Sequence, residues 1–261
     1  MFRTDVYPKL NEFVKGRWFS IFIANFVLGI IVSLITSMFS FGAMQGGIQN
    51  LLYAAYTGNA ALIFDSISRL ATGNLIVSLL SSIVNNTLMA GLIIAIHKAY
   101  RSEGSISIGS MFEEIKENGT KLLTTVLAIS VIMTLINMVP VIGVFVSIYV
   151  GYSLSFTYLL IGDSSSEDAM SAMKDSFALT NGHKWNLFAM EWHYAIRILA
   201  GLIPVFLGIF FVEPAPAIAA LLMVVGVIAV VVMAIKYVPY VLCIDAIYYE
   251  ELRLKETEYE V

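Results

Sequence analysis

WFSIFIANFVLGIIVSLITSMFSF, residues 18–41, carries no charged side chain from end to end, and its length decides which solvent the fold must satisfy. Arg3, Lys9, Lys15 and Arg17 precede it, as basic residues precede an export signal. A signal core, however, runs about 7–15 apolar residues, whereas a helix needs about 20 to cross about 30 Å of hydrocarbon. Residues 18–41 are therefore read as an uncleaved first transmembrane helix.

Five more apolar stretches follow, at 72–96, 122–139, 141–162, 186–212 and 217–247. The composition agrees: 59% of the 261 residues are hydrophobic and 13% charged, where a soluble domain carries about 25% charged residues. The fold class is all-α, a single polytopic domain over 1–261 with six transmembrane helices. A net charge of −4, with acids crowded into loops and the 250–260 tail, leaves no basic footprint for nucleic acid. The one cysteine, Cys243, excludes an internal disulfide and a Cys-rich metal site.

Lysine and arginine orient the spans. Arg3, Lys9, Lys15 and Arg17 lie in the N-terminal tail, Lys98, Arg101, Lys116 and Lys121 in the second loop, Lys174 and Lys184 in the fourth, and Arg253 and Lys255 in the C-terminal tail. These four segments alternate with segments holding only Arg69, so both termini are expected in the cytoplasm. Before the third and fifth spans, Asn118-Gly119-Thr120-Lys121-Leu122 resembles Asn181-Gly182-His183-Lys184-Trp185, with Lys15-Gly16-Arg17-Trp18 a looser copy. Read as a repeat, these are Gly-terminated interfacial amphipathic helices ahead of each of three hairpins; read otherwise, they are the ordinary composition of loop-to-helix junctions. Small residues four apart mark packing faces in the fourth span (Gly143, Ser147, Gly151, Ser155) and the second (Ser78, Ser82, Asn86, Ala90). Segment 42–71, with Gly46-Gly47, Tyr53 and Tyr56, is expected as one or two interfacial helices, either a lid or an inert connector.

From the third span onward the chain resembles a bacterial multi-spanning family, the domain of unknown function 975, related to the membrane domain found with glycerophosphodiester phosphodiesterases. The residues that carry the resemblance are Pro140; Tyr152, Ser153 and Tyr158; the apolar run 159–162 ending in Asp163; Ala169 and Ser176; Gly182-His183-Lys184-Trp185 with Leu187-Phe188; then Pro239-Tyr240, Ala246, Tyr248-Tyr249 and Leu252. His193-Tyr194-Ala195-Ile196-Arg197 departs from the family by placing charge where it is apolar. The resemblance implies a six-helix inner-membrane protein and no established activity.

Ionisable groups within spans cost about 2.5–3.5 kcal/mol each on insertion scales and ask for a partner or a purpose. Glu191, His193, Arg197 and Lys236 are the four considered. At 100° per residue His193 and Arg197 share a face, while Glu191 and Arg197 point about 120° apart. Glu191, roughly 7 Å deep at 1.5 Å per residue, matches the depth of Lys236, and an interhelical Glu191–Lys236 pair is expected. Arg197, roughly 16 Å deep on the same count, then sits near the midplane. It is served either by a polar network with Asn25, Asn85 and Asn86 or by a hydrated cavity in which it holds an anion such as a lipid phosphate. His97 and His183 are expected to be structural, and Glu113-Glu114 and Glu250-Glu251 to be solvated helix faces.

No zinc helix, nucleophile elbow or phosphate loop is present, and no cofactor or metal is expected. The leading expectation is a non-enzymatic membrane protein that binds or moves an amphiphile, lipid or peptide, for transport, tolerance or envelope maintenance. The alternative is an accessory or assembly subunit docking on a membrane protein, such as an ABC transporter or a second copy. The last is an enzyme using Glu191 and His193, which lie about 160° apart around their helix.

Overall fold

The computed structural model describes the backbone of residues 2–57, 60–139 and 141–259, with their side chains except at 2–4, 39–48, 51, 60, 63–64, 67–75, 78 and 256–259. Ten helices occupy these residues, and no strand is found among them: α1 Phe2–Thr57, α2 Ala60–Ser102, α3 Ile108–Glu117, α4 Gly119–Asn137, α5 Ile142–Ser153, α6 Thr157–Gly162, α7 Ala169–Leu179, α8 Lys184–Ala200, α9 Ile203–Phe210 and α10 Pro216–Tyr259. Six segments are long and apolar enough to cross a membrane: Asp5–Met38, Leu79–Ser102, Gly119–Asn137, Ile142–Gly162, Lys184–Phe210 and Pro216–Lys255. Large apolar side chains stand exposed along α4, α5, α9 and the first half of α10, the surface that lipid rather than water would wet.

Segment 42–71 differs from expectation. Instead of separate interfacial helices, its described residues continue α1 to Thr57 and α2 from Ala60, because nothing between residues 41 and 57 interrupts the helical backbone. Gly16 likewise sits inside α1 rather than at a helix end. Of the three junction copies, only Gly182 adopts the left-handed conformation, at φ 78, that terminates a helix.

Two spans are broken. The fourth stops at Ser153 and resumes at Thr157, which exposes backbone groups that a buried site must satisfy. Ser176 of α7 does so: its hydroxyl accepts from Phe156 N–H at 3.2 Å and donates to Ser153 C=O at 2.8 Å. The fifth breaks at Gly201-Leu202, ahead of Pro204 in the first turn of α9. There α10 comes so close that a Cβ on Gly201 would lie 2.7 Å from Val230 N. Pro239, by contrast, is carried within a continuous α10.

The main core gathers at one end of the bundle, where Val6, Leu10 and Phe13 of α1, Leu92 and Ile96 of α2, Phe156 and Leu159, and Ile244, Tyr248 and Leu252 of α10 pack together. The short helices α3 and α7 cover this end. Each starts on a capping box: Ser107 accepts from Ser110 N–H at 3.0 Å, and Asp168 accepts from Ser171 N–H at 2.7 Å.

Candidate functional site

Three groups of charged side chains stand out among the described residues. The first is a closed ionic knot in the main core that joins α2, α6 and α10. His97 Nε2–H donates to Glu250 Oε2 at 2.8 Å; Arg101 reaches Asp163 Oδ1 at 2.8 Å; Arg253 reaches Asp163 Oδ2 at 3.3 Å and Glu250 Oε1 at 3.1 Å. The Tyr249 hydroxyl adds a bond to Asp163 at 3.3 Å. Next to it Glu251 pairs with Lys9 and accepts from the Tyr100 hydroxyl at 2.7 Å, and Lys98 meets Glu114 at 2.7 Å. Glu114, Glu250 and Glu251 are thus buried partners, not the solvated faces their spacing suggested. Glu251 and Glu114 take their counter-charges from other helices, and Glu250 draws on His97 of α2 as well as on Arg253 three positions along its own helix.

Ligand atoms of His97, Asp163 and Glu250 fall within 4.8 Å of one another, a spacing suited to a metal ion. The oxygens are committed, however: both of Asp163 and one of Glu250 face guanidinium groups, and the other faces His97. The donor set fits an ion-pair knot that fastens three helices.

The second group is a cleft of about 510 Å³ between α1, α8 and α10, lined by Tyr7, Asn11, His193, Tyr194, Arg197, Lys236, Tyr237 and Tyr240. Two permanent cations lie here and no carboxylate lines it. Arg197 donates to His193 Nε2 at 2.8 Å and stands 5.4 Å from the Tyr237 ring centre; Lys236 lies 5.2 Å from the same ring. Tyr240 stacks on Tyr194 at 5.1 Å, and the Tyr194 hydroxyl donates to Asn11 at 3.4 Å. The wall is therefore aromatic, built from both helices and braced on α1. Trp18 Nε1 donates to Lys236 C=O at 3.3 Å, which brings α1 and α10 level at these two residues.

The third group lies in a separate cavity of about 380 Å³, where Glu191 and Asp245 are brought together. The Tyr152 hydroxyl donates to Glu191 Oε2 at 2.5 Å. Asp245 Oδ1 is buried without a hydrogen-bond partner.

The expected Glu191–Lys236 pair is thus not formed: the two residues line different cavities. The reason is both axial and angular. Lys236 and Asp245 are nine positions apart on α10, about 13.5 Å along the helix and about 180° around it, so the level and face that meet Glu191 carry Asp245 and those that meet Arg197 carry Lys236. Asp245 escaped the sequence reading, although an acid inside the apolar run 217–247 was the signal to look for.

Nor do the asparagines serve Arg197. Asn86 donates to Ser82 and Ser130 at 3.2 and 3.3 Å and lines the acidic cavity. Asn25 lines an apolar groove on α1, and Asn85 lines none of these spaces. Of the family-type residues, Asp163 is the hub of the knot, and Gly182 ends the turn after α7. His183 Nδ1 lies 2.9 Å from the Tyr248 hydroxyl, and Lys184 donates to the Tyr149 hydroxyl at 3.1 Å. Trp185 is exposed beside Phe188; Pro239 is buried and Tyr240 forms the cleft wall. Pro140 lies outside the described residues.

Compared with known proteins, residues 141–256 match the model of a family described as protein of unknown function (DUF975). No curated protein and no solved structure matches the chain.

Proposed function

Taking as premise that this chain, through residues 141–256, belongs to the DUF975 family, we propose that it is a non-enzymatic protein of the bacterial cytoplasmic membrane that binds an amphiphile by its anionic head group. Arg197 and Lys236 hold the phosphate or carboxylate, and the chain works in transport, tolerance or envelope maintenance. The single observation that carries this reading is the carboxylate-free cleft with two cations and four tyrosines lining it. Two like charges gathered without a counter-charge favour an anionic ligand, and lipid phosphate is the commonest anion at a membrane surface.

The Trp18–Lys236 bond supports a site at head-group depth. Trp18 opens the first apolar run, where tryptophan anchors at head-group level, and its partner Lys236 and the neighbouring Arg197 lie beside it. Acyl chains leaving the cleft would then meet exposed apolar surface on α9 and α10, including Phe206, Leu221 and Val224. The charge pattern of the loops supports three hairpins with both termini cytoplasmic, and alkaline phosphatase fusions at each end, expected inactive, test that orientation.

The binding reading is tested by native mass spectrometry of protein extracted in mild detergent. Wild type is expected to retain phosphatidylglycerol or another anionic phospholipid, and the Arg197→Leu/Lys236→Leu double variant to retain roughly tenfold less, about 1.4 kcal/mol of binding free energy. Equal retention by a well-folded double variant would overturn it. Millimolar inorganic phosphate that displaced the lipid would reassign the site to free phosphate.

A further inference from the structure

On the face of α10 opposite Lys236, the Glu191–Asp245 cavity presents the reverse chemistry. No lysine, arginine or histidine lines it. Glu191 receives one hydroxyl donor from Tyr152, and Asp245 has a buried oxygen that receives none. Two carboxylates enclosed by helices and left without a cation are costly, because each loses hydration and each raises the cost of charging the other. In the knot, less than two helical turns further along α10 at Glu250, the same residue type has guanidinium partners on hand. The acidic cavity has been given none, so its charge is neutralised from outside the chain, by a proton or by a bound cation.

The remainder of the lining narrows what brings that charge. A bare metal cation needs only a compact cage of oxygens, at about 2.3–2.6 Å for calcium. This cavity, at about 380 Å³, lies in the range of organic-ligand sites, about 300–1,000 Å³, and Ile129, Met133 and Ile148 give it apolar walls. Tyr152 and Tyr158 add ring faces, which attract an ammonium group as well as hydrocarbon.

We infer that this cavity binds a lipophilic organic cation, an amine or quaternary ammonium, with the charge between Glu191 and Asp245 and the apolar part along Ile129, Met133 and Ile148. The site is separate from the Arg197–Lys236 cleft and stands whether or not that cleft binds a lipid.

The test is calorimetric titration of the full-length protein, in detergent, with benzyltrimethylammonium and with uncharged benzyl alcohol. Wild type is expected to bind the cation at least tenfold more tightly than the alcohol. Asp245→Asn and Glu191→Gln each abolish that preference, and Lys236→Leu keeps it. Should a carboxylate variant fail to fold, Met133→Trp, which fills the cavity and leaves both acids in place, is expected to weaken cation binding at least tenfold. Equal binding of the two probes, or a preference that survives Asp245→Asn, overturns the proposal. So does wild type that shows no saturable uptake of benzyltrimethylammonium at low or high sodium, which would mean the pair holds only a proton or an inorganic ion.

Discussion

The ionic knot and the two cavities use the same residue types and treat them in opposite ways. In the knot, Asp163 and Glu250 interleave with Arg101, Arg253 and His97, so each carboxylate oxygen faces a donor. In the cavities the signs are sorted: Arg197 and Lys236 on one side of α8 and α10, Glu191 and Asp245 on the other. Interleaved charges tie helices together and need nothing further. Sorted charges leave a field that an external ion can satisfy, so stability should depend on the first arrangement and ligand binding on the second.

The sharpest way to break that contrast is to remove the hub of the knot. Asp163→Ala takes the buried carboxylate from between Arg101 and Arg253, and because both guanidinium groups are more than a third exposed and keep Glu250, the loss is expected near the lower end of the about 3–5 kcal/mol for a fully buried pair. Thermal unfolding in detergent should report a large drop, and a wild-type melting point would show that the knot is not holding α2, α6 and α10. Next comes the close crossing of α9 and α10. Gly201→Val places side-chain atoms against Val230 backbone, an overpacking expected to cost about 1–3 kcal/mol in the same assay. Ser107→Ala removes the cap of α3 at the covered end of the bundle, for about 1 kcal/mol. Lys236→Leu should leave the melting point nearly unchanged while anionic lipid retention falls, and a large loss of stability there would move the cleft into the same class as the knot.

The smallest effect concerns acid. Asp168 accepts the Ser171 N–H, and this bond holds its carboxyl below the usual carboxylate range. A group whose folded value is depressed contributes its stability above the unfolded value, about 3.9, and loses it as pH falls through the folded one. The Ser171 amide resonance should therefore stay fixed down to about pH 4 and shift only below it.

What could be read before the structure was whatever a bilayer dictates by length and composition. The six apolar segments are of that kind, and so is the presence of Glu191 and Arg197 on different faces of one helix. Residues 42–57 were obscured because Gly46-Gly47 and a falling hydropathy look like a break, while α1 continues through them. Glu250 and Glu251 looked solvated because His97 and Lys9 lie 153 and 242 positions away, and because a local partner such as Arg253, three positions after Glu250, is ordinary on a solvated helix face. The Glu191–Lys236 pairing failed for a different reason. Neither depth nor rotation matched: counted from the inner end of 217–247, Lys236 lies roughly 16 Å deep, level with Arg197, and Asp245 takes the place beside Glu191.

The great length of α1 carries a last consequence. Its 56 residues measure about 84 Å at 1.5 Å per residue, against about 40–45 Å for a bilayer with its head groups. Fitting such a rod wholly within lipid would require a tilt of nearly 60°, outside the 0–40° that membrane helices adopt. Roughly half of its extent must therefore be clothed by something other than lipid. The core clothes the stretch around Val6, Leu10 and Phe13. Toward the other tip α1 runs beside α2, where Ala54 and Ser66 are buried, and the exposed Tyr53 and Tyr56 turn to water or a neighbouring molecule from a two-helix mast whose height is fixed by the chain itself.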